Sequence, residues 1–123
     1  MKKRNIMLAM CDLHLADIYR ERLEADGWRV DLAEHTADIE RTLQRTRPSI
    51  LFIDVDCVPN VVLLLKQIRA MPTMLKVKIA LFSQTGDRDQ IIAAKKAGAH
   101  AYILRGHMTP AEIVENVHML FES

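Results

Sequence analysis

The sequence has no apolar run close to the roughly 20 residues that span a bilayer, so a membrane-embedded class is not expected. The segment Ile6–Met10 is also too short for a signal-peptide core. Cysteine is scarce: without a secretion signal, the two present are expected to remain reduced thiols in a cytoplasm. No charge of one sign dominates. Seventeen Lys and Arg face sixteen Asp and Glu, mixed along the chain, so no basic patch points to nucleic acid. The opening MKKR reads as a short, solvated basic tip leading into the first strand. The histidines (His14, His35, His100, His107, His118) lack paired ligand spacing, and no zinc site is assigned. Repeats, low-complexity stretches and linkers are missing. The seven methionines are scattered and read as filler of core or surface.

What is present is enough for one domain. A chain of 123 residues, 50% hydrophobic and 27% charged, can enclose a single core, so residues 1–123 are read as one unit. "NIMLAM" (5–10) reads as a buried strand, and from Leu15 the spacing becomes helical through Ile18, Tyr19, Arg22 and Leu23 until Gly27 stops it. "WRVDLA" (28–33) alternates as a half-buried strand. A helix from Thr36 carries Ile39 and Leu43 and ends before Pro48; "SILFID" (49–54) is a fully apolar strand. Val61 and Val62 favour strand within "NVVLLLKQIRAM" (60–71), but its length and the Leu64–Ile68 spacing favour helix. "VKIALFS" (77–83) is a strand, "RDQIIAAKKAGA" (88–99) a helix ended by Gly98, and "AYIL" (101–104) a short strand. The last helix opens on Thr109, Pro110 and Glu112 and presents Ile113, Val114, Val117, Leu120 and Phe121.

Strand and helix alternating five times predict an α/β fold: one doubly wound parallel sheet with helices on both faces. In such sheets ligands sit beyond the carboxyl ends of the strands. The residues to inspect are therefore Met10–Asp12, Asp54–Pro59, Ser83–Thr85 and Arg105. Asp54 stands out because a carboxylate closing a hydrophobic strand costs free energy unless something pairs with it.

In order and spacing the chain resembles the receiver domains of bacterial response regulators, a family that includes chemotaxis regulators. "RPSILFID" is similar to the family's strand ending on the phosphoacceptor aspartate. "DQIIAAKKAGAHAYILR" resembles its fourth helix, Ala-Gly-Ala turn and fifth strand, and "LEADGWRV" its first helix end and second strand. The resemblance implies the flavodoxin-like strand order 2-1-3-4-5. It also implies a phosphoryl switch in which an acid pair after the first strand and the acceptor aspartate hold Mg²⁺, which neutralises charge on the transferring group. Carried over by position, Asp54 is the phosphoacceptor, Ser83 the phosphate-contacting hydroxyl, Tyr102 the aromatic switch residue and Arg105 the counterpart of a lysine. The acid pair falls on Met10 and Cys11.

A thioether and a thiol cannot give the oxygen ligands that Mg²⁺ wants. Asp12 lies one place late and reads first as a helix cap, with metal ligand as its other reading. Asp56 has a carboxylate to lend, although the family uses the backbone carbonyl there. Arg105 keeps the charge but has a planar fork instead of a point charge. The loop after Asp54 lacks the family's glycines, and Pro59 is one place late. Asp54 thus admits three readings: a phosphoacceptor, a carboxylate paired with Arg105, or a capped loop residue. Ser83 is a phosphate contact or a strand-end turn former; Tyr102 is a two-position switch or a half-buried aromatic. Cys11 and Cys57 fall at one rim on strands expected to be neighbours, which allows a redox pair; free buried thiols are the simpler reading.

The leading expectation is an atypical, degenerate receiver acting as a protein-interaction module in two-component-type signalling. It is not expected to be an enzyme and holds no resident cofactor, with Mg²⁺ as the exception to test. Its face would be the fourth helix, fifth strand and fifth helix, with Lys95, Lys96, His100, Tyr102, Glu112 and Glu115. Partners would be a signalling protein or output domain, in the cytoplasm, without direct contact to nucleic acid or membrane. His100-Ala101 stands where many dimerising receivers carry an acidic pair, so that dimer mode is not expected. The alternative is a working receiver phosphorylated at Asp54 by a histidine kinase, with Asp12 and Asp56 replacing the missing ligands. A remote third is a cysteine phosphocarrier resembling sugar phosphotransferase B domains. It would use Cys11, but "DLHLADIY" lacks the Gly and Ser of a phosphate-cradling loop, and Asp12 would repel the anion.

Overall fold

The computed structural model describes residues 3–123; Met1 and Lys2, which begin the basic tip, lie outside the described residues. Five strands, β1 (Asn5–Ala9), β2 (Arg29–Ala33), β3 (Ile50–Asp54), β4 (Lys78–Ser83) and β5 (Ala101–Leu104), alternate with five helices. These are α1 (Leu13–Ala25), α2 (Thr36–Thr46), α3 (Val61–Arg69), α4 (Arg88–Lys96) and α5 (Pro110–Glu122). Every pairing is parallel, and the order is β2-β1-β3-β4-β5. This is the doubly wound order expected from the resemblance.

Local chemistry explains the element starts. The Asn60 side chain accepts from Leu63 N–H at 3.1 Å, capping α3 and deciding the ambiguous segment for helix. Val61, Leu64, Leu65 and Ile68 then form its buried stripe. At α5, Thr109 and Glu112 form a reciprocal capping box with Pro110 in the first turn.

The central strands are apolar along their length because both faces are covered; all five residues of β3 are buried. Edge strands β2 and β5 are only half-buried. Alternation along the strands sends Ile6, Leu8, Met10, Phe52 and Phe82 toward α1 and α5, and Met7, Leu51, Ile53, Ile79 and Leu81 toward α2, α3 and α4.

At the amino ends of β4 and β5, Arg69 gathers backbone carbonyls. It donates to Met74 at 3.1 Å, Val77 at 2.9 Å and Gly98 at 2.7 Å. Gly98 has a φ of +120°, and a Cβ there would meet Arg69 Nε at 2.6 Å, so only glycine fits. His100 belongs to this junction: its Nδ1 accepts from Ile79 N–H at 3.1 Å.

The reading of Cys11 and Cys57 as free thiols is corrected by the fold: the two form a disulfide. β1 and β3 are adjacent and in register through Ala9 and Ile53, so residues just past their ends meet. Their Cα atoms are 5.8 Å apart, inside the span a disulfide needs. The loop it closes joins positions 46 residues apart in sequence.

Two outcomes follow for stability. Replacing both cysteines by serine should lower unfolding free energy by about 2–4 kcal/mol, because a long loop regains its freedom in the unfolded chain. Urea unfolding of the variant against the oxidised protein measures it. Arg69→Ala should cost about 2 kcal/mol in the same assay, since three part-buried carbonyls in two loops lose a charged donor.

Candidate functional site

The carboxyl ends of β1, β3, β4 and β5 converge on one rim. Asp54 ends β3 and is only 2% exposed, as deep as the hydrophobic strand that carries it. It heads a single 3-10 turn, Val55–Cys57, and its Oδ1 accepts from Asp56 N–H at 3.0 Å. The Asp56 carboxylate crosses to the end of β4, accepting from Ser83 Oγ at 3.0 Å and from Gln84 N–H at 3.0 Å. Ser83 is 1% exposed, and its hydroxyl proton is shared between Asp56 and the Thr85 carbonyl at 2.5 Å. Its oxygen also accepts from Thr85 N–H at 3.2 Å, closing a tight strand-end turn.

Tyr102 on β5 is half-buried, and its hydroxyl donates to the same Thr85 carbonyl at 3.2 Å. A Cβ on Gly86 would lie 2.8 Å from the Tyr102 ring, so glycine there lets the ring close over the loop. Arg105 lies with its guanidinium 5.3 Å from the Phe82 ring centroid. The pairing of Asp54 with Arg105 is therefore corrected: the ion pairs among the described residues join other groups, and Arg105 reaches Asp54 only as a distant positive charge.

The positions of the family's acid pair hold different chemistry. Met10 is 1% exposed and packs in the core on the α1 and α5 side. Cys11 is exposed, and its sulfur is bonded to Cys57. Asp12 caps α1, its Oδ1 accepting from Leu15 N–H at 3.2 Å. The donor set for a hard divalent cation fits poorly: Asp12 is committed to a helix end, Asp56 to β4, and Met10 and Cys11 offer sulfur. No cluster of three or more His, Cys, Asp or Glu suited to a metal occurs among the described residues. An oxidised Cys11 also has no thiolate to carry phosphate.

Of the residues singled out from the sequence, Asp54, Asp56 and Ser83 meet in one hydrogen-bonded group that reaches Tyr102 through Thr85. Met10, Asp12 and Arg105 stand around it without joining. Thr36 contributes its hydroxyl, which donates to the Cys57 carbonyl at 3.4 Å, whereas Gln84 and Thr85 take part through their own backbone N–H and carbonyl. Residue identity carries no signal for them. Of the interaction-face residues, His100 turns to Ile79 and the Arg69 junction, and Glu112 is held by Thr109.

Burial pushes the Asp54 carboxyl above its ordinary value of 3.8; the Asp56 N–H opposes this, and the Asp56 carboxylate adds to it. Because the folded chain holds that proton more tightly than the unfolded chain, stability falls as pH rises through the window from 3.8 upward. Asp54→Asn should therefore be the more stable protein at neutral pH, with the gap closing below pH 3.8, as read by urea unfolding at the two pH values.

No family model matches the chain, and no curated protein matches it in sequence. Solved structures do match. A response regulator from Thermotoga maritima is 26% identical with a TM-score of 0.86, covering 98% of this chain and 99% of its own. A signal receiver domain from Bermanella marisrubri is 20% identical, with a TM-score of 0.84 over 97% of this chain and 98% of that one. The chemotaxis response regulator CheY4 of Vibrio cholerae is 13% identical, with a TM-score of 0.86 over 97% and 99%. In strand order, in the acidic residue that ends β3 and in near-complete overlap, the chain is similar to these response regulators and receiver domains and shares their fold.

Proposed function

We propose that this receiver works as a protein-interaction module in two-component-type signalling, and that ordinary Mg²⁺-dependent phosphorylation of Asp54 is not its principal control. One observation carries the reading: the acid-pair positions hold a core thioether and a disulfide sulfur. Phosphoryl transfer depends on positioning and on neutralising charge at the transferring group. Here the carboxylates beside Asp54 are spent on a helix cap and on β4, and the cation of Arg105 rests on Phe82. The protein is a signalling module in this reading, not an enzyme, and residues 1–123 act as one domain.

The partner is a signalling protein or output domain, or a histidine kinase where the contact does not end in phosphate transfer. It would dock on α4, β5 and α5. That face presents exposed Lys95, Lys96 and Glu115 around half-buried Tyr102, with the Ile92 side chain 41% exposed on α4. Docking sites for nucleic acid or membrane are not part of the proposal: charge is balanced, and no helix among the described residues is long and apolar enough to cross a membrane. We place the protein in the cytoplasm, where such partners work.

Adding Mg²⁺ and then beryllofluoride to the oxidised, isotope-labelled protein tests this. The expected amide spectrum stays still at Asp54, Ser83 and Tyr102. Saturable shifts spreading through those three would establish Asp54 as a working phosphoacceptor and reject the reading.

A further inference from the structure

We propose that the Cys11–Cys57 disulfide is a reversible redox site, reduced by a thioredoxin-class dithiol, and that its state is relayed to Tyr102. Its output at the α4–β5–α5 face rests on the interaction reading above, and its reversibility on the cytoplasmic placement proposed there. Disulfides that occur in a cytoplasm are usually transient or redox-sensing rather than structural staples. This one also lies on the rim where the family's switch chemistry takes place, between the end of β1 and the turn that follows Asp54.

The two sulfurs are not equivalent. Cys11 is exposed and Cys57 half-buried, so an incoming thiolate reaches Cys11 first. The Cys11 N–H lies 3.2 Å from Cys57 Sγ, placing a donor on the sulfur that must leave with the electron pair. A donor there favours departure as thiolate. The reductant's thiolate attacks Cys11 Sγ, the Cys11–Cys57 bond breaks, and Cys57 leaves as thiolate. The second thiol of the reductant, as thiolate, then attacks its own sulfur in the mixed disulfide and releases Cys11. Two electrons pass to the protein, the two thiol protons of the reductant end on Cys11 and Cys57, and the reductant becomes a disulfide. The reverse exchange with an oxidised dithiol restores the bond.

Cys57 closes the 3-10 turn whose next residue back is Asp56. Asp56 holds Ser83 Oγ and Gln84 N–H, Ser83 meets the Thr85 carbonyl, and Tyr102 donates to that same carbonyl. The Cys57 carbonyl also accepts from Thr36 at the start of α2. Breaking the bond removes the covalent tether between β1 and this turn. The hydrogen-bonded series from Asp56 to Tyr102 then settles without that constraint, a contiguous route of the kind through which coupling passes.

The test uses the full chain, isotope-labelled and oxidised, treated with reduced thioredoxin. Iodoacetamide labelling with intact-mass detection should count no thiol before treatment and two after it. Amide shifts should extend past Cys11 and Cys57 to Asp56, Ser83, Thr85 and Tyr102. Asp56→Ala should still be reduced but should lose the Tyr102 shift; Cys57→Ser should match the reduced spectrum and ignore thioredoxin. Three results would overturn the proposal: sulfurs that stay oxidised in the folded chain, shifts confined to the neighbours of the two cysteines, or collapse of the dispersed spectrum on reduction. A beryllofluoride response of the oxidised protein would instead reject the interaction reading and leave the thiol count and the relay standing.

Discussion

The burial of β3 on both faces is the constraint around which the rest of the rim is arranged. A parallel strand in the middle of a doubly wound sheet has no solvent side, so its polar terminus is resolved where the strand stops. Asp54 is 2% exposed, and the chain answers with a tight turn whose Asp56 N–H returns to the Asp54 carboxylate. That turn in turn fixes where Asp56 and Cys57 point. The Asp56 carboxylate reaches β4, and Cys57 reaches the residue after β1. The burial of one strand thus organises contacts across three neighbouring strand ends.

In the receiver domains that the sequence resembles, this rim is expected to gather carboxylate oxygens around a cation. Here it gathers hydrogen bonds and a sulfur–sulfur bond instead. Both oxygens of Asp56 are engaged by β4 groups, and the Ser83 proton is shared between Asp56 and Thr85. Burial at the strand end raises the affinity of the Asp54 carboxyl for a proton, the Asp56 N–H opposes this, and the adjacent Asp56 carboxylate adds to it. Arg105 supplies positive charge to the site while its guanidinium lies 5.3 Å from the Phe82 ring centroid.

Much of the fold is legible in the residues. Fully apolar runs mark β1, β3 and β4 because those strands are covered twice, and alternation marks the half-buried edge strand β2. The Thr109 cap marks the start of α5 because a short polar side chain satisfies orphan N–H groups locally, whereas α3 was legible only by its length and the Leu64–Ile68 spacing. The candidate site is legible in part. Asp54 and Ser83 announce themselves as polar residues closing hydrophobic strands, and Asp12 as a polar residue where a helix begins. Arg69 gives no comparable sign, although its bonds join two loops, because its partners are carbonyls and any residue could supply them.

The sequence by itself determined the element order, the parallel sheet and the rim at which Asp54, Ser83 and Arg105 would lie, because hydrophobic periodicity and capping are local properties. Only the tertiary structure decided the partners. Cys11 and Cys57 are bonded because parallel register brings Ala9 beside Ile53. Arg105 rests on Phe82 instead of Asp54, and Thr85 joins Ser83 to Tyr102 through a backbone carbonyl. These contacts join residues far apart in the chain or through atoms common to all residues, so they exist only once the sheet has brought the strand ends together.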